Sequence, residues 1–153
     1  MNERAKIDFS KSVAIRKRAF LDIPGVENFA PYMLSILRIV AALLFLEHGL
    51  EKLIGLPVAG PPMTPLLWIQ GVLEALGGVL LLLGILTRPV AFILSGNMAV
   101  AYFMAHFPKS FFPAINGGDA AVLYCFVFLF IFFAGAGPWS VDRMMFKRLS
   151  EVE

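Results

Sequence analysis

Apolar residues fall in four runs, separated by short polar or Pro/Gly-rich breaks. The first runs from about Tyr32 to Leu50, and Pro31 suits its first turn, where a helix needs no amide donor. The break Gly55–Pro65, GLPVAGPPMTP, holds four prolines and two glycines and predicts a loop. A second run spans about Leu66 to Leu86, with Trp68 as an interfacial anchor at its start. Thr87-Arg88-Pro89 is a tight connection to a third run, about Val90 to His106. After the loop FPKSFFPAINGGDA, a fourth run covers about Ala120 to Ala134 and extends toward Ala136. Apolar stretches of this kind predict membrane-crossing helices, which need roughly 20 apolar residues for a core about 30 Å thick. Helices joined by turns as short as Thr87–Pro89 pack side by side in opposite senses. The expected fold is all-α: a transmembrane antiparallel four-helix bundle. Its parts are a basic juxtamembrane arm at residues 1–30, the membrane domain at 31–137 and a tail at 138–153.

Composition agrees with that pattern, since 59% of the 153 residues are hydrophobic and the mean hydropathy is +0.79. The net charge of +2 says little, but its distribution sets an orientation. Six cations (Arg4, Lys6, Lys11, Arg16, Lys17, Arg18) precede the first run, Arg88 sits in the short turn, and Arg143, Lys147 and Arg148 follow the last run. The other two loops carry only Lys52 and Lys109. Positive loops stay inside, so both termini are expected to be cytoplasmic. The arm mixes those cations with Glu3, Asp8, Asp22 and Glu27, unlike a cleavable signal. Phe9, Val13, Phe20 and Leu21 alternate with its cations, which fits a short interfacial helix on anionic lipid better than a nucleic-acid contact. A single cysteine, Cys125, excludes an internal disulfide and any CxxC redox motif.

The runs are interrupted by polar residues that lipid does not explain. A charge at membrane depth costs about 2.5–3.5 kcal/mol on insertion scales, so it needs a partner, water or a ligand. Arg38, Phe45, Gly49 and Lys52 share one stripe of the first helix, with His48 beside it. Gln70, Glu74 and Gly77 share a stripe of the second, flanked by Gly71 and Gly78. Depths counted at about 1.5 Å per residue bring Arg38 and Glu74 within about 10 Å along the membrane normal, with Asn97 at a similar level. A buried Arg38–Glu74 ion pair is therefore expected, with Asn97 hydrogen-bonded to it, acting either as a register lock or as a ligand or proton site. Gly71, Gly77, Gly78, Gly84, Ala91, Ser95, Gly96, Ala99 and Ala101 would let the second and third helices approach closely. The phenylalanines of the fourth run read as lipid-facing or packing bulk.

A second polar group gathers at the outward ends: Glu47, His48, Glu51 and Lys52, then His106 and Lys109, then Asn116 and Asp119. Each alone reads as a wet interfacial residue, but together they could receive a proton-coupled quinone, because imidazole exchanges protons near neutral pH. Haem is disfavoured: two histidines stand without a haem motif. There is no Walker loop, dinucleotide fingerprint, HExxH, Cys/His zinc spacing or nucleophile elbow. No metal site is expected.

Three blocks resemble the DoxX family. LRIVAALLFLEHGLEKL is similar to its first helix, with an early Arg and an HG-x-x-K ending. GVLEALGGVLLLLGILTRPVA resembles the second, with Glu, paired Gly, a later Gly and Thr-Arg at the turn. HFPKSFFPAINGGDAAVLY and GAGPWSVD resemble its outer loop and its closing G-x-G-x-x-S-x-D. The resemblance covers about Leu34 to Asp142 and implies a four-helix inner-membrane protein of bacteria or archaea. Relatives include membrane subunits of thiosulfate:quinone oxidoreductases and partners of oxidative-stress or sulfur-redox enzymes, although most have no assigned reaction. Recurring family positions fall on Arg38, His48, Gly49, Lys52, Glu74, Gly77, Gly78, Arg88 and Asp142. Asp119 is a departure, since relatives often carry a glutamate there.

The leading expectation is a membrane subunit of a redox complex, where a quinone or similar carrier meets a partner oxidoreductase. His48, Lys52 and Glu74 are its candidate catalytic residues, and Arg38, Glu47, His106 and Asp119 its candidate ligand-binding residues. Gly49, Gly77, Gly78, Asn97 and Arg88 are assigned structural roles. The expected partners are the lipid bilayer and a protein of the same membrane complex, with room for a homo-oligomer and none for nucleic acid. A scaffold or assembly factor is the alternative. A small-molecule carrier ranks third, because apolar residues separate Arg88 from Asn97 and interrupt a polar path.

Overall fold

The computed structural model describes residues 25–60 and 62–150. The interfacial helix expected in the basic arm falls on residues 1–24, outside the described residues. The chain divides into two compact units, Met1–Pro31 and Tyr32–Glu153. In the first, Gly25 opens a 3-10 turn at Val26–Phe29.

All regular structure among the described residues is helical. The elements are α1 (Ala30–Ile54), α2 (Pro65–Leu83), α3 (Thr87–Ala101), α4 (Pro113–Asn116), α5 (Asp119–Ala134) and α6 (Val141–Ser150). A π-helical turn at Tyr102–His106 extends α3. Three segments are long and apolar enough to cross a membrane: Val26–Ile54, Pro65–Leu83 and Thr87–His106. The expected fourth span is the shorter apolar helix α5, whose 16 residues rise only about 24 Å. Glycines bound it: Gly117 and Gly118 precede it, and Gly135 ends it at φ +94.

Helix ends follow local chemistry. Thr64 caps α2, its hydroxyl accepting from the Leu67 amide at 3.2 Å, with Pro65 in the first turn. At the other end Gly84 takes φ +68, and the amides of Gly84 and Ile85 turn back to the carbonyls of Leu81 and Leu80. This glycine-terminated turn leaves the carbonyl groups of the last residues partly open.

Lipid tails are as apolar as leucine, so membrane helices associate by close packing rather than by hiding from water. The α1 face that packs inward is Ser35, Arg38, Ala42, Phe45 and Gly49, at helical spacing. A Cβ at Gly49 would lie 2.5 Å from the Ala75 amide nitrogen, and one at Gly78 would lie 2.9 Å from the Leu46 Cβ. Gly77 meets Leu94 of α3 in the same way, at 2.7 Å. Gly96 was expected to serve similar close approach, but a Cβ there would meet nothing within 4 Å, because the residue faces away from its neighbours. Phe45 packs edge-on against Phe128 at 4.8 Å, so α5 closes the core, while Phe126, Phe130 and Phe133 are exposed.

Candidate functional site

Polar side chains gather at both ends of this core, and the two ends differ in how fully they are used. Arg38 is wholly buried. Its Nε donates to the Ala136 carbonyl at 2.8 Å and its Nη1 to the Leu82 carbonyl at 2.8 Å. Nη1 also donates to Leu81, and Nη2 to Trp139. The guanidinium thus caps the carbonyls left open at the end of α2 and fastens the GAGPW segment to them. This corrects the expected Arg38–Glu74 pair. Arg38 reaches the level of Leu81, seven residues and about 10 Å beyond Glu74 along α2. At that end of a helix, carbonyl dipoles suit a cation as well as a carboxylate does. Asn97 is not its partner either, for its buried Nδ2 has no hydrogen-bond partner.

Two more charges at this end meet helix termini of opposite sign. Arg88 Nη1 donates to the carbonyls of Phe132 and Phe133, at 2.8 and 3.0 Å, at the end of α5. Asp142 accepts from the amides of Leu86 and Thr87, at 2.9 and 2.8 Å, at the start of α3. Leu86 sits at φ +49, a conformation unfavourable for a side chain with a Cβ, and the carboxylate holds it there. Ser35 accepts from the Trp139 amide, and Ser140 donates to Gly137. Sequence reasoning assigned no role to Ser35, Ser140 or Asp142. The S-x-D spacing after the last glycines was the available signal for the last two.

At the opposite end, Lys52 Nζ lies 2.5 Å from Glu74 Oε2. Glu74 is 1% exposed, so Lys52 supplies its charge partner in place of Arg38. Gly71 makes this contact feasible. A Cβ there would stand 3.1 Å from the Lys52 Cβ, so the lysine stem lies against the glycine and reaches one turn along α2 to Glu74. His48 is half-exposed beside the pair, its Nδ1 3.6 Å from Glu51 Oε2 and its ring perpendicular to Tyr124 at 6.2 Å. Tyr124 was not singled out from the sequence; it also packs against Phe45 and Phe128.

The wider rim divides. His106 engages the Asn116 carbonyl through Nδ1 at 3.1 Å and stacks with Tyr102. Asn116 is buried, and donates to Ser110 while accepting from the Gly118 amide. That group fastens the loop after α3, whereas Lys52 and Glu74 join α1 to α2. Glu47 and Asp119 are exposed, and among the described residues neither bonds to the Lys52–Glu74 pair. Chemically, the half-exposed imidazole of His48 can donate or accept a hydrogen bond beside this pair, with the Tyr124 ring next to it.

Comparison with known proteins supports the first two of the blocks compared above, while the outer-loop and closing blocks lie almost wholly beyond the matched residues. The DoxX family profile matches residues 33–107. An uncharacterized protein of Haemophilus influenzae is 43% identical over 132 residues, which cover 81% of this chain and 98% of that protein. An uncharacterized membrane protein of Mycobacterium tuberculosis is 26% identical over 141 residues, covering 77% of this chain and 84% of its own. No solved structure matches.

Proposed function

The chain belongs to the DoxX family of membrane proteins, and from that premise we propose that it is the membrane subunit of a redox complex, in which a quinone or similar carrier meets a partner oxidoreductase. The observation that carries this reading is the part-buried Lys52–Glu74 pair, 2.5 Å apart beside half-exposed His48. A quinone taking up two electrons from the partner also needs two protons. His48 would relay them, Lys52 would polarise the carbonyl oxygen, and Glu74 would hold Lys52 in place.

In this reading the helices form an antiparallel four-helix bundle in the inner membrane of a bacterium or archaeon, with both termini cytoplasmic. Contacts that run in opposite directions along α1 and α2 support the antiparallel sense: Leu53 against Gly71, Gly49 against Ala75, Leu46 against Gly78. The basic arm, Arg88 and the basic tail support the orientation.

The reading is tested by purifying the protein in mild detergent from its native host, extracting lipid and assaying for quinone. Co-purification of a quinone together with an oxidoreductase is expected. If Glu74→Gln and His48→Ala keep the protein folded and leave redox coupling intact, the redox reading fails. A non-catalytic scaffold is the second reading. It is favoured by the use of Arg38, Arg88 and Asp142 as fasteners for backbone groups. The carrier reading stays behind both, because carbonyls enclose Arg38 and leave it no path to offer.

A further inference from the structure

We propose that α6 is an interfacial helix that lies on the anionic headgroup layer of the membrane crossed by the bundle. Its start is fixed. The Asp142 amide donates to the Gly84 carbonyl at 2.9 Å, and its carboxylate caps α3. The helix therefore leaves the bundle at the level where α2 ends and α3 begins. Aromatics of the membrane–water boundary mark the same level: Trp139, 53% exposed, rests its ring 5.7 Å from that of Tyr32.

Beyond that anchor every residue from Arg143 to Ser150 is exposed. The exposed set includes Met145 at 60%, Phe146 at 78% and Leu149 at 67%. At about 100° per residue, Val141, Met145 and Leu149 fall within about 80° of one another, with Phe146 next to them. Lys147 and Arg143 fall on the far side, whereas Ser150 lies about 40° from Phe146. Arg148 borders the apolar stripe, where its stem can lie along acyl chains while its guanidinium reaches phosphate. Asp142, the one carboxylate of α6, is already bonded to two amides. The rest of the helix thus presents an apolar stripe edged by cations, at the height of the headgroups. A helix of 10 residues is too short to cross the membrane, and the surface that complements it is lipid with negative head groups.

The test uses the full chain in a Cys125→Ser background, which first must match the parent in helicity and gel filtration. Single cysteines are placed by Arg143→Cys, Met145→Cys, Phe146→Cys, Lys147→Cys and Leu149→Cys and labelled with an environment-sensitive fluorophore. Each protein is reconstituted in phosphatidylcholine vesicles with and without phosphatidylglycerol. With phosphatidylglycerol present, labels at 145, 146 and 149 should lose iodide quenching several-fold and gain quenching by lipids brominated near the headgroup. Labels at 143 and 147 should stay open to iodide. Arg143→Glu with Arg148→Glu should restore iodide access at 146. Equal access at all five positions overturns the proposal. So does protection that is equal with and without phosphatidylglycerol and without quenching by the brominated lipids, which would mean that protein covers the stripe, and so does protection lost on deleting residues 1–24 but indifferent to lipid charge, which would make the arm the occupant.

Discussion

Arg38→Met should destabilise the bundle without any coupling to Glu74. The wild-type guanidinium serves four carbonyls, those of Leu81, Leu82, Ala136 and Trp139, from three nitrogens. Interhelical hydrogen bonds in membranes average about 0.6 kcal/mol, and bonds to charged groups in proteins reach about 1.5 kcal/mol or more, which puts the loss at about 2–6 kcal/mol. Methionine also removes a buried charge, and the desolvation so relieved draws the net effect toward the lower end of that range. Arg38→Lys should not rescue it. Lysine keeps the charge but has a single donor centre, and the carbonyls it would serve lie on two separate stretches of chain. The assay is equilibrium unfolding in bicelles or mixed micelles, followed by tryptophan fluorescence and helicity. A double-mutant cycle supplies the decisive figure. Because Arg38 and Glu74 share no partner, Arg38→Met and Glu74→Gln should add within about 0.5 kcal/mol. A coupling well above that, or a fully stable Arg38→Lys protein, would refute the capping role and restore the ion pair read from the sequence.

Three further outcomes follow from the same geometry. Lys52→Met leaves the Glu74 carboxylate buried without its partner and should cost about 3–5 kcal/mol, while adding Glu74→Gln should recover much of the loss in the same unfolding assay. Gly49→Ala must push a methyl to within 2.5 Å of the Ala75 backbone and should cost at least about 1–3 kcal/mol, whereas Gly96→Ala meets nothing and should be neutral or stabilising by up to about 1 kcal/mol. Asp142→Ala removes the cap on α3 and the support of Leu86 at φ +49, so a loss of about 1–2 kcal/mol is expected, with Asp142→Asn milder because one acceptor oxygen remains.

What the sequence disclosed, and what it withheld, follows from the range of each interaction. Helix positions were legible because they depend on local hydropathy, with Pro and Gly as breaks: the expected run from Leu66 to Leu86 is observed as Pro65–Leu83. The inward face of α1 was legible from 3.6-residue spacing, which places Arg38, Phe45 and Gly49 together. The partner of Arg38 was not. Matching charges by depth favours the nearest carboxylate and overlooks backbone carbonyls, which carry no mark in the sequence. Gly84 was the missed signal, since a helix ending in glycine exposes carbonyls that a cation can cap. Gly71 likewise reads as a packing residue until its neighbour is known to be the stem of Lys52. Tyr124 was hidden among the many aromatic residues of α5, and only its position facing His48 distinguishes it.

The charges can then be sorted by whether a helix end accounts for them. Arg38 and Arg88 stand at carboxyl ends of α2 and α5, and Asp142 at the amino end of α3, each with the sign that the helix dipole favours. Lys52 lies in the last turn of α1, and Asp119 in the first turn of α5, again with matching sign. Glu74 is different. It is the tenth of 19 residues in α2, midway between the ends, and it is 1% exposed. A register lock between α1 and α2 does not require it, because Gly49 and Gly78 already set that contact by shape. A scaffold could therefore carry an apolar residue at position 74 at no cost to its packing. This makes the pair of variants Glu74→Gln and Glu74→Leu the sharpest division between the two readings of function. If both variants, with Lys52 retained, fold stably but lose redox coupling, the carboxylate serves chemistry. If coupling survives, Glu74 only neutralises Lys52, and the scaffold reading takes over.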